Sequence, residues 1–149
     1  MSKKVVTIVP CYGNRALLQL RDEKPDIDFP GYWGLFGGEI NVAENPEDAA
    51  RRELYEEIRY NPTHINLIGK EILPELGGIV VYTYFCSLYT PLNMLSLNEG
   101  MDFGLFTMKD IKKRKLYSTK LEGMYPVVPV PYVLEKIQQA ICAVGGTYK

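Results

Sequence analysis

Gly38 to Tyr60 reads GEINVAENPEDAARRELYEEIRY. Its pattern predicts a helix from Asn45 to about Arg59. Asn45 suits the N-cap, Pro46 suits the first helical position, and Glu47 and Asp48 favour the positive helix N-terminus. At helical periodicity Ala50, Leu54 and Ile58 fall in one stripe that should face a core. Glu53, Glu56 and Glu57 stand at i, i+3 and i+4 and form a second face beside it. Neighbouring carboxylates repel by a few tenths of a kcal/mol per pair on an isolated helix. Water relieves that repulsion, and a divalent cation relieves it further, because carboxylate oxygens are the hard ligands Mg²⁺ takes. Arg52, four residues before Glu56, can pair with it or orient it. Taken alone, such a face is an ordinary solvated one. The flanking sequence gives it chemistry.

Upstream, Gly31 to Gly38 reads GYWGLFGG, four glycines among large hydrophobic residues. Further upstream, Val5 to Val9 and Ala16 to Leu20 read as strands of a hairpin turned at Cys11–Arg15. Asp22 to Pro30 is polar and proline-containing, hence a loop. Downstream, Ile65 to Leu73 and Gly78 to Tyr89 read as strands, the second continuously apolar as in a central strand. Phe103 to Phe106 is a short strand, and Thr107 caps a short helix that runs into the basic stretch Lys112–Lys115. Tyr132 to Val144 is a final helix, expected to end at Gly145 and Gly146. The mixed order of strands and helices predicts α+β layers around a mixed sheet.

The chain has 149 residues, a net charge of -1 and 46% hydrophobic residues, so one globular domain over 1–149 is expected. With 17 basic and 18 acidic residues, no bulk charge draws it to nucleic acid or an anionic membrane. Its three cysteines are far apart, without a C-x-x-C pair, and read as small buried hydrophobes. The single histidine, His64, reads as a loop residue, and mechanisms needing several histidines are poorly supplied. No apolar run approaches the ~20 residues of a membrane helix. The short apolar run after Lys4 is too brief for a signal peptide, so a cytoplasmic location is expected.

The stretch from Gly38 resembles the Nudix box, G-x5-E-x7-R-E-U-x-E-E-x-G-U, where U is a bulky aliphatic residue. Gly38, Glu44, Arg52, Glu53, Leu54, Glu56 and Glu57 match it. A chance match of those seven positions is on the order of one in a million for a chain of this length. Trp33–Gly38 is similar to the W-x-x-x-G-G lead-in of MutT-like members. The chain departs from the pattern at Arg59, where the family has glycine, and at Tyr60, where it has an aliphatic residue. It also has Phe36 where many members have proline. Because a helix end favours a left-handed Gly or Asn, the box helix is expected to run on and stop at Asn61.

The resemblance implies a Nudix-type α/β/α sandwich around a mixed sheet. It also implies a hydrolase that cleaves the pyrophosphate linkage of a nucleoside diphosphate joined to another group. Carried over by residue, Glu53, Glu56 and Glu57 would hold Mg²⁺ or Mn²⁺, with a main-chain carbonyl at Gly37 or Gly38. Glu44 and Arg52 would form a structural ion pair. The general base would be Glu53 or Glu99, which lies in a downstream E-G pair. Arg21 is a candidate phosphate contact, and Trp33, Tyr32, Phe36, Tyr82 and Tyr84 are candidates for stacking on a base. The expected substrate is a nucleoside triphosphate, modified or not, cleaved to monophosphate and pyrophosphate. A nucleotide sugar is the close alternative. A catalytically silent binding module and an RNA-end hydrolase using Lys112–Lys115 are alternatives of other kinds. The partner is thus a small nucleotide, with a homodimer left open.

Overall fold

β-Branched residues give the first strand, β1 (Lys4–Tyr12), which becomes the axis of the sheet in this computed structural model. The structure describes residues 3–147. Along one edge β1 pairs in parallel with β6 (Ile79–Ser87), which pairs antiparallel with the edge strand β5 (Asn66–Leu73). Along its other edge β1 has two partners in succession. Its first half, Val5–Ile8, pairs with β4 (Phe36–Glu39), and its end, Cys11–Tyr12, pairs with β2 (Arg15–Leu20). β2 diverges from β1 and pairs instead with β3 (Trp33–Gly34), while its far edge takes β7 (Asp102–Thr107). β3 and β4 are thus wedged into a split between β1 and β2. These two short strands lie in the glycine-rich stretch, where side-chain alternation is too brief to register as strand.

The sheet separates two layers of core. On one face α1 (Pro46–Ile58) lays Ala49, Ala50, Leu54 and Ile58 against Val6, Ile8, Leu17 and Phe36. Full burial of Leu54 or Ile58 is worth about 1.5–3 kcal/mol each. On the other face α3 (Pro131–Thr147) packs Ile137, Ala140 and Val144 with Val9, Leu18, Leu20 and Trp33. A short α2 (Met108–Ile111), capped by Thr107, precedes a separate hairpin of β8 (Lys115–Ser118) and β9 (Gly123–Pro126). The result is an α/β/α sandwich. No helix among the described residues is long and apolar enough to cross a membrane.

Two helix ends differ from the sequence expectation. α1 stops at Ile58, not Asn61, and Arg59 itself takes the left-handed conformation at φ 59° and ψ 32°. Its N–H donates to the Tyr55 carbonyl at 2.8 Å, and its guanidinium lies 4.9 Å from the Tyr55 ring centre. The closing geometry is kept without the family's glycine. Tyr60, in the aliphatic position, is buried in the core under α1 and donates its hydroxyl to the Ser87 carbonyl at 2.7 Å. At the other end of the chain, Gly145 and Gly146 do not end α3, which continues to Thr147. A glycine inside a helix costs only about 1 kcal/mol relative to alanine.

Candidate active site

Helical spacing puts Glu53, Glu56 and Glu57 on neighbouring faces of α1, and the wedge of β3–β4 brings Gly37 and Gly38 over them. Asn45 fixes the start of α1 by accepting from the Asp48 N–H at 2.8 Å. Arg52 ties the box together. Its Nε and Nη2 donate to the two oxygens of Glu44 at 2.8 and 3.0 Å, and Nη2 also reaches the Glu39 carbonyl at 3.0 Å. Its Nη1 reaches Glu53 at 2.9 Å and Glu56 at 3.3 Å. The planar fork and five donors of arginine are what such a node requires. The guanidinium and a backbone N–H from Asn41 hold the Glu44 carboxyl down to a pKa of about 2.

The three glutamates differ in environment. Glu56 is exposed. Glu53 is half-buried, and the Gly38 backbone packs so closely on its carboxylate that a Cβ there would collide with it. Burial raises the Glu53 pKa, against the pull of Arg52. Glu57 is 1% exposed. Its carboxylate accepts from the Gly37 N–H at 3.0 Å and the Gln19 amide at 3.3 Å. Burial pushes its pKa up to about 9, and the charges of Glu99 and Glu53 add to the rise. No lysine or arginine pairs with it among the described residues. A nearly buried carboxylate facing two other carboxylates needs either a proton or a cation.

That donor set fits a hard divalent cation: carboxylates on one helix face, a buried one without a cationic partner among the described residues, and a glycine backbone packed against them. Among the described residues the oxygens are not gathered into a ready three-ligand cluster. Arg52 engages Glu53 and Glu56, while Glu57 is turned toward Gly37 and Gln19.

Glu99 arrives on the segment between β6 and β7. Ser96 and Asn98 donate their backbone N–H groups to the Ile58 and Glu57 carbonyls at 3.0 and 2.9 Å, and the Asn98 amide reaches the Glu56 carbonyl at 3.3 Å. These bonds satisfy carbonyls that a helix end leaves open. They also bring the exposed Glu99 close enough to raise the pKa values of Glu53 and Glu57.

Arg21, at the end of β2, shares a small cleft with Gln19, Lys24 and Glu99. Its Nε donates to the Asp28 carbonyl at 2.7 Å. A larger cavity of about 470 Å³ around His64 and Phe85 contains none of Glu53, Glu56, Glu57 and Glu99. The aromatic expectations change. Trp33 and Phe36 are fully buried and present no face to a ligand. Trp33 donates its indole N–H to the Leu116 carbonyl at 3.0 Å and meets Phe106 edge-on, on the α3 side of the sheet. Phe36 lies in the core beneath α1. Tyr82 is half-buried beside Lys70 and separated from Gly38 by β1. Tyr84 is buried in the core beneath α1, and half-buried Tyr32 packs edge-on against Phe29. The residue missed from sequence is Gln19. It is the one polar side chain within Ala16–Leu20, and strand alternation sets it on the same face as Leu17.

A family model described as NUDIX domain matches residues 1–126, and the chain belongs to that family, hydrolases acting on nucleoside diphosphate derivatives. Members generally use divalent metal ions. Solved structures agree in fold. A MutT NUDIX hydrolase from Burkholderia pseudomallei is 19% identical over 93% of this chain and 98% of that one, with TM-score 0.66. The NUDIX domain of Shewanella oneidensis NrtR, solved with ADP ribose, is 21% identical over 97% and 89%, with TM-score 0.70. An Ap4A hydrolase of C. elegans is 12% identical over 97% and 99%, with TM-score 0.62. At such identities the likeness is one of fold.

Proposed function

We propose that this protein is a metal-dependent pyrophosphohydrolase of small nucleotides, with a nucleoside triphosphate as substrate. The observation that carries the reading is the proximity of Glu53, Glu56, Glu57 and Glu99, whose charges act on one another, with Glu57 buried and lacking a cationic partner among the described residues. Glu53, Glu56 and Glu57, with the Gly38 carbonyl, are the proposed holders of Mg²⁺ or Mn²⁺. Such an ion, when bound, supplies the positive charge that lets anionic phosphates approach and lowers the pKa of a water. Arg52 and Glu44 form the structural pair that keeps the loop and α1 in register. Arg21 contacts a phosphate.

Glu99 is the proposed base. Arg52 occupies an oxygen of Glu53, whereas no salt bridge engages the exposed Glu99 carboxylate among the described residues. In the reaction a water oxygen bonds to phosphorus and its proton passes to Glu99. The bridging P–O bond breaks, and the leaving phosphate carries off the bridging oxygen. Positioning and charge neutralisation supply most of the catalysis in such a transfer.

The test is a screen of nucleoside triphosphates and nucleotide sugars with Mg²⁺ and with Mn²⁺, reading the phosphate species released. Nucleoside monophosphate plus pyrophosphate is the expected product pair, absent in Glu57→Gln. A sugar phosphate as product replaces the triphosphate with a nucleotide sugar. Wild-type turnover in the Glu57→Gln protein overturns the metal assignment.

A further inference from the structure

We infer that Gln19 is a positioning residue that fixes the Glu57 carboxylate and the Glu99 segment relative to each other. This inference rests on the function proposed above. Gln19 is 3% exposed on the strand face where Leu17, two residues earlier, packs into the core beneath α1. Burying an amide there is costly unless it is hydrogen-bonded. Its Nε2 makes two contacts, to Glu57 Oε1 and to the Glu99 carbonyl, both at 3.3 Å. A carboxylate oxygen and a backbone carbonyl both accept, so the two hydrogens of one amide group link helix and segment, and the amide orientation is set by them.

The segment is shaped to lie on this side chain. Gly100 has φ of 88°, and a Cβ there would fall 2.9 Å from Gln19 Cγ and 2.8 Å from the Leu20 carbonyl oxygen. From the other side Asn98 holds the Glu56 and Glu57 carbonyls. The Glu99 residue is therefore clamped between the end of α1 and Gln19. The choice of an amide has a chemical reason. A lysine or arginine at this place would neutralise Glu57 and compete with a divalent cation for it. A neutral donor orients the carboxylate and leaves its charge available. Groups that orient a metal-ligating carboxylate this way typically govern metal affinity by about 10–100-fold.

The experiment uses Mn²⁺ alone, with free Mn²⁺ read by electron paramagnetic resonance, on the wild type, Gln19→Leu, Gln19→Asn and Glu57→Gln. Leucine removes the donor at similar size. Asparagine keeps the amide but falls one methylene short, and serves if the leucine variant fails to fold. Mn²⁺ affinity is expected to fall about 10–100-fold in both Gln19 variants, and amide hydrogen exchange at 98–101 to accelerate while 16–18 stays protected. Unchanged Mn²⁺ affinity in folded Gln19 variants overturns the inference, even if the melting temperature drops, because a merely structural side chain behaves that way. Unchanged Mn²⁺ affinity in Glu57→Gln overturns the metal assignment, and the inference with it. Loss of Mn²⁺ in Glu57→Gln but not in the Gln19 variants overturns the role of Gln19 alone.

Discussion

Arg52 spreads its guanidinium over Glu44, Glu53, Glu56 and the Glu39 carbonyl, so the acid face of α1 is partly neutralised from within before any cation arrives. Glu44 shows what that costs and gives. Its carboxyl titrates near 2 in the folded protein against an ordinary 4.5, so the folded state binds the proton less tightly than the unfolded chain does. The resulting stability is complete above about pH 4.5 and is lost as the pH falls through about 2. Glu44→Gln should therefore lower the melting temperature at pH 7, with the gap to wild type closing as the pH drops from 5 to 2. A gap constant across that range would show that the charge of Glu44 is not what matters. Glu57 makes the opposite case, a buried acid that opposes folding when ionised. Saturating Mg²⁺ at about 100 times its Kd should stabilise the wild type by about 2.7 kcal/mol, a rise of roughly 5–10 °C in Tm. EDTA should reverse the rise, and Glu57→Gln should show none, in a differential scanning measurement.

At the scale of the element, α1 must end where the segment carrying Glu99 can receive its last carbonyls. Ser96 and Asn98 bind the Ile58 and Glu57 carbonyls, and a helix continued to Asn61 would give the Glu57 carbonyl to the Asn61 N–H instead of Asn98. That requirement explains why Arg59 accepts a left-handed conformation, which costs a non-glycine residue about 1–2 kcal/mol. The Tyr55 ring beneath its guanidinium returns part of that cost. Arg59→Gly should raise stability by about 0.5–1 kcal/mol, after allowing for the greater freedom of glycine in the unfolded chain. Turnover should be unaltered, since Arg59 lies outside the acid cleft. A fall in melting temperature would mean that the arginine–tyrosine contact outweighs the backbone strain.

Across the whole molecule, what could be read from sequence follows from how far each signal extends. α1 was legible because capping, apolar stripe and acid face all agree over thirteen helical residues. β3 and β4 were not, because two and four residues do not make a period, and their partners β2 and β1 are distant in sequence. Gln19 stood out as a polar residue in an apolar strand, but its role depends on a carboxylate 38 positions away. Trp33 illustrates the same limit most sharply. Gly37 and Gly38, just after it in sequence, pack against Glu57 and Glu53, yet pairing with Leu20 sends its ring to the opposite face of the sheet, into the core shared with α3. It is the sole tryptophan, so its emission reports that core. Fluorescence should be blue-shifted in the folded protein and should not be quenched when a nucleotide is titrated in with Mg²⁺. Unfolding in denaturant should shift it to the red, as the indole leaves the Leu116 carbonyl and Phe106 for water. Strong quenching by nucleotide alone, with the fold intact, would put a base against Trp33 and return it to the binding surface.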